Sequence, residues 1–131
     1  MIACPGCYPT SVLLPLIPLL KAGLLTDDAI AVSSMSGASG AGRNAAVPFL
    51  FCEVNESVRS YGVPTHRHIS EIGQELNLAA GRAVRFTFVP HLVPVHAGIC
   101  TTIFATPSDG VTLEQITAAY NSAYGDKPFV R

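Results

Sequence analysis

A chain of 131 residues that is 49% apolar and only 13% charged has the size of one ordinary domain and enough apolar material for a core, which excludes a disordered chain. Its formal net charge of −1 carries no basic run and gives a nucleic acid no electrostatic hold. The longest apolar stretch, residues 12–20, is too short to span a bilayer, is interrupted by Pro15 and Pro18, and lacks the basic flank and cleavage site of a signal peptide.

The four cysteines, Cys4, Cys7, Cys52 and Cys100, are not spaced like a small secreted disulfide scaffold, and a reducing cytoplasm is the expected location. So few charges on so apolar a chain also predict that some surface is buried against another domain or a twin subunit.

In chain order, residues 1–3 read as the end of a strand entering a turn. Residues 9–22 form a helix stopped by Gly23, with Pro15 and Pro18 predicting a kink or a shortened helix. Residues 29–35 are a buried strand, 36–42 a glycine-rich loop, 43–51 a short helix and 53–62 a polar irregular stretch. Residues 65–80 form a helix with Thr65 as N-cap and Gly81 as stop. Strands at 83–89 and 98–105 are bridged by residues 90–97. Thr112-Leu113-Glu114-Gln115 has the capping-box form and opens a last helix whose apolar face is Leu113, Ile116, Ala119 and Tyr120. Gly125 ends it, and residues 129–131 begin a further strand. No repeat, low-complexity tract or linker is present, so a single α+β or α/β layered domain is expected. The strands are apolar on both alternating faces. The chain's own helices are expected to cover one face, and a second subunit, most simply in a two-fold dimer, the other.

The chemistry-bearing residues concentrate in three places. Cys7 follows a Pro-Gly turn and precedes a helix, where unpaired N–H groups and the helix dipole favour a thiolate over a thiol of ordinary pKa about 8.5. The bland alternative is a small buried hydrophobe. Cys4 and Cys7 form C-x-x-C, which with His66 and His68 suggests a zinc site. No second C-x-x-C exists, however, and two histidines at i, i+2 on a helix point to different faces. His66 and His68 sit at a helix start, where one serves capping and surface polarity and the other suits the role of partner base to a thiol. Ser36-Gly37-Ala38-Ser39-Gly40-Ala41-Gly42-Arg43 offers small residues and free N–H groups for the approach of a phosphate, and Arg43 and Arg67 suit an anion.

Taken in order, "PGCYPT" at 5–10, "SGASGAGR" at 36–43, "FCEV" at 51–54, "GVPTHRHISEI" at 62–72, "FVPHLVP" at 88–94 and "GICTTI" at 98–103 resemble the N-acetyl-gamma-glutamyl-phosphate reductase family across nearly the whole chain. The resemblance implies that Cys7 attacks the acyl phosphate and that His66 is its acid/base partner. It places Arg67, Arg43 and His68 at the substrate, and Ser39, Gly40, Ala41 and Gly42 beside the nicotinamide and phosphates of NADP(H). It implies an α+β fold with a mixed, largely antiparallel sheet and helices on one face, like the catalytic domains of glyceraldehyde-phosphate and aspartate-semialdehyde dehydrogenases. The implied reaction is NADPH-dependent reduction of N-acetyl-gamma-glutamyl phosphate to the 5-semialdehyde in arginine biosynthesis, through a cysteine thioester and without a metal.

The chain departs from the family in two ways. No G-x-G-x-x-G Rossmann segment is present and the family's C-terminal segment is missing, so residues 1–131 are expected to be a catalytic and dimerisation domain separated from its nucleotide-binding domain. Ala97, preceded by His96, stands where the family usually has an arginine, so any anion contact made by that arginine is lost or moved to His96, Arg67 or Arg43. Two other readings of the same residues are a cofactor-free Cys/His acyl transferase or hydrolase, and a dimerisation module inert in isolation.

Overall fold

The structure, a computed structural model, describes residues 2–26 and 29–131. Its elements are α1 (Cys7–Lys21), β1 (Ile30–Ser36), α2 (Phe51–Val54), β2 (Arg59–Ser60), α3 (His68–Ala80), β3 (Phe86–Leu92), β4 (Ile99–Phe104) and α4 (Leu113–Tyr124). Short 3₁₀ turns occupy Ala38–Ala41 and Val47–Phe49. The strands form one mixed sheet in the order β2-β3-β1-β4. β1 and β3 run parallel from Ile30↔Phe86 to Ser36↔Leu92, and the crossover between them contains α3. β4 pairs antiparallel with β1, and β2 pairs antiparallel with β3, so two of the three pairings are antiparallel. This is the expected α+β arrangement.

One sheet face is covered by α1 and α3. Ile30 and Val32 of β1 and Phe88 of β3 meet Tyr8, Val12, Leu16, Leu19 and Leu20 of α1 and Ile72 and Leu76 of α3 in one buried core. The α1 residues recur at three- and four-residue spacing, the stripe that faces a core. α4 lies against α1 through Ile116, Ala119 and Tyr120, whereas Leu113, expected on that face, is 72% exposed. The opposite sheet face carries Ala31, Met35, Thr87, Cys100, Thr102 and Phe104, all exposed.

The prolines of α1 do not break it. The helix runs unbroken for 15 residues and starts two residues earlier than expected. Pro18 withdraws the N–H that would meet the Leu14 carbonyl. The Tyr124 hydroxyl donates to that carbonyl instead, at 2.7 Å, and Tyr120 Oη donates to Pro15 O at 3.0 Å. Tyr124 of α4 therefore stands in for the donor that Pro18 lacks, and Tyr120 adds a second tie between α4 and α1. Tyr124→Phe is expected to destabilise the fold by about 1 kcal/mol, the net worth of one hydrogen bond. In a Pro18→Ala background the effect should shrink, because residue 18 regains its N–H. Denaturant unfolding of the four variants checks both.

Several boundaries move. Residues 43–51 are not one helix: they hold a 3₁₀ turn at Val47–Phe49, the Arg59 guanidinium donates to the Pro48 carbonyl, and Phe51 opens α2. The stretch read as irregular holds α2 and the two-residue edge strand β2. α3 begins at His68 rather than Thr65: its N-cap is Arg67, without a side-chain cap, and the His66 Nδ1 just before it accepts the His68 N–H at 3.2 Å. The strands read at 29–35, 83–89 and 98–105 lie at Ile30–Ser36, Phe86–Leu92 and Ile99–Phe104. Neither residues 2–3 nor 129–131 form a strand, and Met1 lies outside the described residues. Both glycine stops hold, with φ of +67° at Gly23 and +66° at Gly81. The capping box at Thr112 is complete, with Gln115 N–H donating to Thr112 Oγ1 and Thr112 N–H to Gln115 Oε1.

Candidate active site

A cleft of about 270 Å³ opens where the N-terminus of α1, the start of α3 and the C-terminal ends of β1 and β3 converge. Cys7, His66, Arg67 and His68, three of them some sixty residues away from the first in sequence, all line it, together with Gly40 and Ala41 from the glycine-rich turn. Cys7 is the first residue of α1 and is exposed. The first N–H groups of a helix have no intrahelical partner. Pro9 has no N–H, and the Gly6 N–H goes to Glu71 Oε1 at 3.0 Å, so the unpaired donors of this turn are those of Cys7 and Tyr8.

The histidines are close together, with ring centroids 4.9 Å apart, rather than on different faces, because His66 precedes the helix instead of lying within it. Neither is plain surface polarity. His66 packs edge-on against Tyr8, Tyr61 and Phe88, and His68 is buried. Since His66 Nδ1 accepts a hydrogen bond, the proton of the neutral ring sits on Nε2. His68 lies against Gly6, where an added Cβ would stand 2.7 Å from its Nε2, and its Nδ1 is buried without a partner among the described residues. Burial lowers the pKa of His66 below the ordinary histidine value, helped by the neighbouring His68 and Arg67. His68 is lowered in the same way by burial and by Arg67, with Glu71 pulling against them.

These depressed values link stability to pH. Above about pH 6.5 the rings are neutral in both folded and unfolded chains and contribute no pH dependence. Below it the unfolded chain takes up protons first, so stability falls as pH drops toward the folded values. The melting temperature is expected to fall between pH 7 and pH 5.5, and the His66→Asn/His68→Asn double variant to fall less. Scanning calorimetry across that range checks it.

The glycine-rich turn corrects an expectation. Its N–H groups are not free: Gly37, Ala38 and Ser39 donate to the carbonyls of Gly98, Val95 and His96, and Gly42 donates to Ser39 O. Gly37 must be glycine, since a Cβ there would lie 2.8 Å from Ala97 N. The turn is clamped onto residues 95–98, at the place of Ala97, and presents Gly40 and Ala41 to the cleft as a smooth wall rather than as a cradle of donors. Ser39 and Gly42 belong to the turn but do not line the cleft, and neither does Arg43, which is exposed beyond it. Among the described residues no group of three or more histidine, cysteine, aspartate or glutamate side chains is arranged to hold a metal ion. All four cysteines are free and exposed.

Sequence reasoning did not find Tyr61 or Phe49, which also line the cleft, and Glu71 behind it was legible only as part of "GVPTHRHISEI". Tyr8 was legible only as part of "PGCYPT". Its hydroxyl meets that of Tyr61 at 2.8 Å, and burial with this bond pushes the Tyr61 pKa well above the ordinary tyrosine value. No local signal marks Tyr61.

Cys7 at the start of α1 thus shares one cleft with two histidines, beside a mixed sheet with one bare face. The family profile described as "Semialdehyde dehydrogenase, dimerisation domain" matches residues 7–131, and the chain belongs to that family. It is 55% identical over 131 residues to the N-acetyl-gamma-glutamyl-phosphate reductase of Akkermansia muciniphila, with all of this chain and 38% of the relative covered. It is 53% identical to the reductases of that name from Pelobacter propionicus and Rhodospirillum rubrum, covering all of this chain and 38% and 37% of theirs. The chain thus spans less than two fifths of the length of the relatives it matches. Aspartate semialdehyde dehydrogenase II from Vibrio cholerae has a similar fold, with a TM-score of 0.65 and 16% identity over 90% of this chain and 42% of that one. Among the described residues no helix is long and apolar enough to cross a membrane.

Proposed function

We propose that this chain is the catalytic and dimerisation domain of a cytoplasmic N-acetyl-gamma-glutamyl-phosphate reductase of arginine biosynthesis, working with a Rossmann domain that lies outside residues 1–131. The observation that carries the reading is the single cleft that joins Cys7 to His66, Arg67 and His68. The Cys7 thiolate attacks the γ-acyl carbon, the carbon–oxygen bond to phosphate breaks, and the phosphate leaves toward the Arg67 guanidinium, forming an enzyme thioester. The N–H groups of Cys7 and Tyr8 steady the oxyanion at that carbon. NADPH, when bound, supplies the hydride. Gly40 and Ala41, with no side chain beyond a methyl, suit a flat nicotinamide ring, while the filled N–H groups of that turn leave its phosphates to the Rossmann domain. His66 offers its Nε2–H as a hydrogen bond to the oxygen that gains charge on reduction; as the carbon–sulfur bond breaks, the aldehyde leaves and the Cys7 thiolate is restored.

The contact of His68 Nε2 with Gly6, the residue before the thiol, favours a second assignment in which His68 is the proton donor and His66 orients it. In the whole protein, NADPH oxidation should require the acyl phosphate and release one phosphate per NADPH. Oxidation without phosphate release would remove the thioester route.

The bare sheet face supports a homodimer. Phe104, 66% exposed, sits opposite Ala31 on that face, and a second copy is the simplest cover for it. Analytical centrifugation at micromolar concentration should find a dimer, and Phe104→Glu should shift it toward monomer. A monomeric wild type would contradict this.

A further inference from the structure

Three hydroxyls run from the middle of the sheet to the first turn of α1. Ser34 of β1, fully buried, stands opposite Thr101 of β4, and their hydroxyl oxygens are 2.8 Å apart. Thr101 Oγ1 lies 2.9 Å from Ser11 Oγ, and Ser11 Oγ lies 2.9 Å from the Tyr8 carbonyl oxygen. The end of the chain fixes its direction. A hydroxyl has one proton to give, and a carbonyl oxygen only accepts. Ser11 therefore donates to Tyr8, Thr101 donates to Ser11, and Ser34 donates to Thr101. The residue that receives the last bond adjoins Cys7, and its own N–H is among those that a helix start leaves unpaired.

Elsewhere the core face of α1 is apolar, with Val12, Leu16, Leu19 and Leu20 in one cluster with Ile30, Val32 and Phe88 of the sheet. Apolar contact has no direction and changes little when a helix slides a fraction of an ångström. Hydrogen bonds weaken steeply outside narrow limits of distance and angle. We propose that Ser34, Thr101 and Ser11 are positioning residues: their hydroxyl chain fixes where α1 sits along the sheet, and with it the Cys7 sulfur and the Tyr8 N–H at the cleft. This deepens the proposed reaction and rests on Cys7 being its nucleophile. None of the three lines the cleft, so the chain acts through the backbone of α1. Its effect on position can be separated from its effect on stability. Removing one hydroxyl leaves its neighbours without a partner, whereas removing all three leaves no buried polar group orphaned.

The test compares Thr101→Val, Thr101→Ser and the triple variant Ser11→Ala/Ser34→Ala/Thr101→Val in the whole reductase that carries this chain. The valine variant should lose about five- to twentyfold in kcat, with KM for the acyl phosphate changed by less than about threefold, the signature of a reacting group slightly displaced. The serine variant keeps the hydroxyl and should stay within about twofold of wild type. The triple variant should regain the denaturant midpoint lost in Thr101→Val and yet remain as slow as it. An unchanged kcat in Thr101→Val overturns the proposal. So does a serine variant as slow as the valine one, because the hydroxyl would then not be the cause. A triple variant that recovers rate together with stability overturns it too, since the chain would then act on stability alone. If Thr101→Val does not fold, the triple variant carries the test with the same two outcomes: slow but stable supports the proposal, and fast and stable overturns it. The underlying reading fails separately: wild-type turnover in Cys7→Ala removes the nucleophile, whereas normal dependence on Cys7 with a silent hydroxyl chain removes the positioning role alone.

Discussion

Replacing Cys7 by alanine in the whole reductase is expected to reduce turnover by about five to six orders of magnitude, the scale on which a covalent nucleophile acts. Exposure does not single this residue out, because all four cysteines are exposed. Position does. Cys7 heads a 15-residue helix and shares a cleft with two histidines and Arg67; Cys4, Cys52 and Cys100 line no part of that cleft. Alanine at any of those three should cost little turnover. Limiting iodoacetamide on the native chain should accordingly label Cys7 first, and peptide mapping reads the order. Preferential labelling of Cys52 or Cys100, or a Cys7→Ala enzyme within a hundredfold of wild type, would contradict the assignment.

The second large effect concerns His66. His66→Asn is expected to lower kcat by about two to four orders of magnitude, the usual worth of a positioned proton-transfer group. The argument is the direction of its proton: with Nδ1 committed to the His68 N–H, Nε2–H is the end left to serve the cleft. Asparagine keeps a polar group near that position but cannot carry a proton at neutral pH. Because burial holds both rings below the ordinary histidine pKa, the acid limb of the kcat profile should lie below pH 6.5 in the wild type. It should vanish with the residue responsible. A crippled His68→Asn beside a mild His66→Asn would reverse the pair and favour the contact of His68 with Gly6.

What could be read in advance was what short-range chemistry decides. The Thr112–Gln115 box, the glycines that end α1 and α3, and the turn before Cys7 are each specified within a few residues, and each was legible. Pro15 and Pro18 misled for the opposite reason. The donor that replaces the missing Pro18 N–H is Tyr124, more than a hundred residues away, and no local pattern names it. Thr65 looked like a cap because it is the residue type that caps, but the helix starts three residues later, after an N-cap at Arg67. β2 is two residues long and exists only because β3 offers it an edge. In the site, the motif residues were legible and their surroundings were not. The glycine-rich turn reads as a phosphate cradle until its N–H groups are traced to residues 95–98, and Tyr61 carries no signal outside the fold.

The central claim is that Cys7 carries the acyl group. Mixing the whole reductase with N-acetyl-gamma-glutamyl phosphate in the absence of NADPH isolates that step. One equivalent of phosphate per active site should appear in a burst, and mass spectrometry of the quenched protein should find the acyl mass on the peptide containing Cys7. No burst, or an adduct on any other residue, would contradict the account.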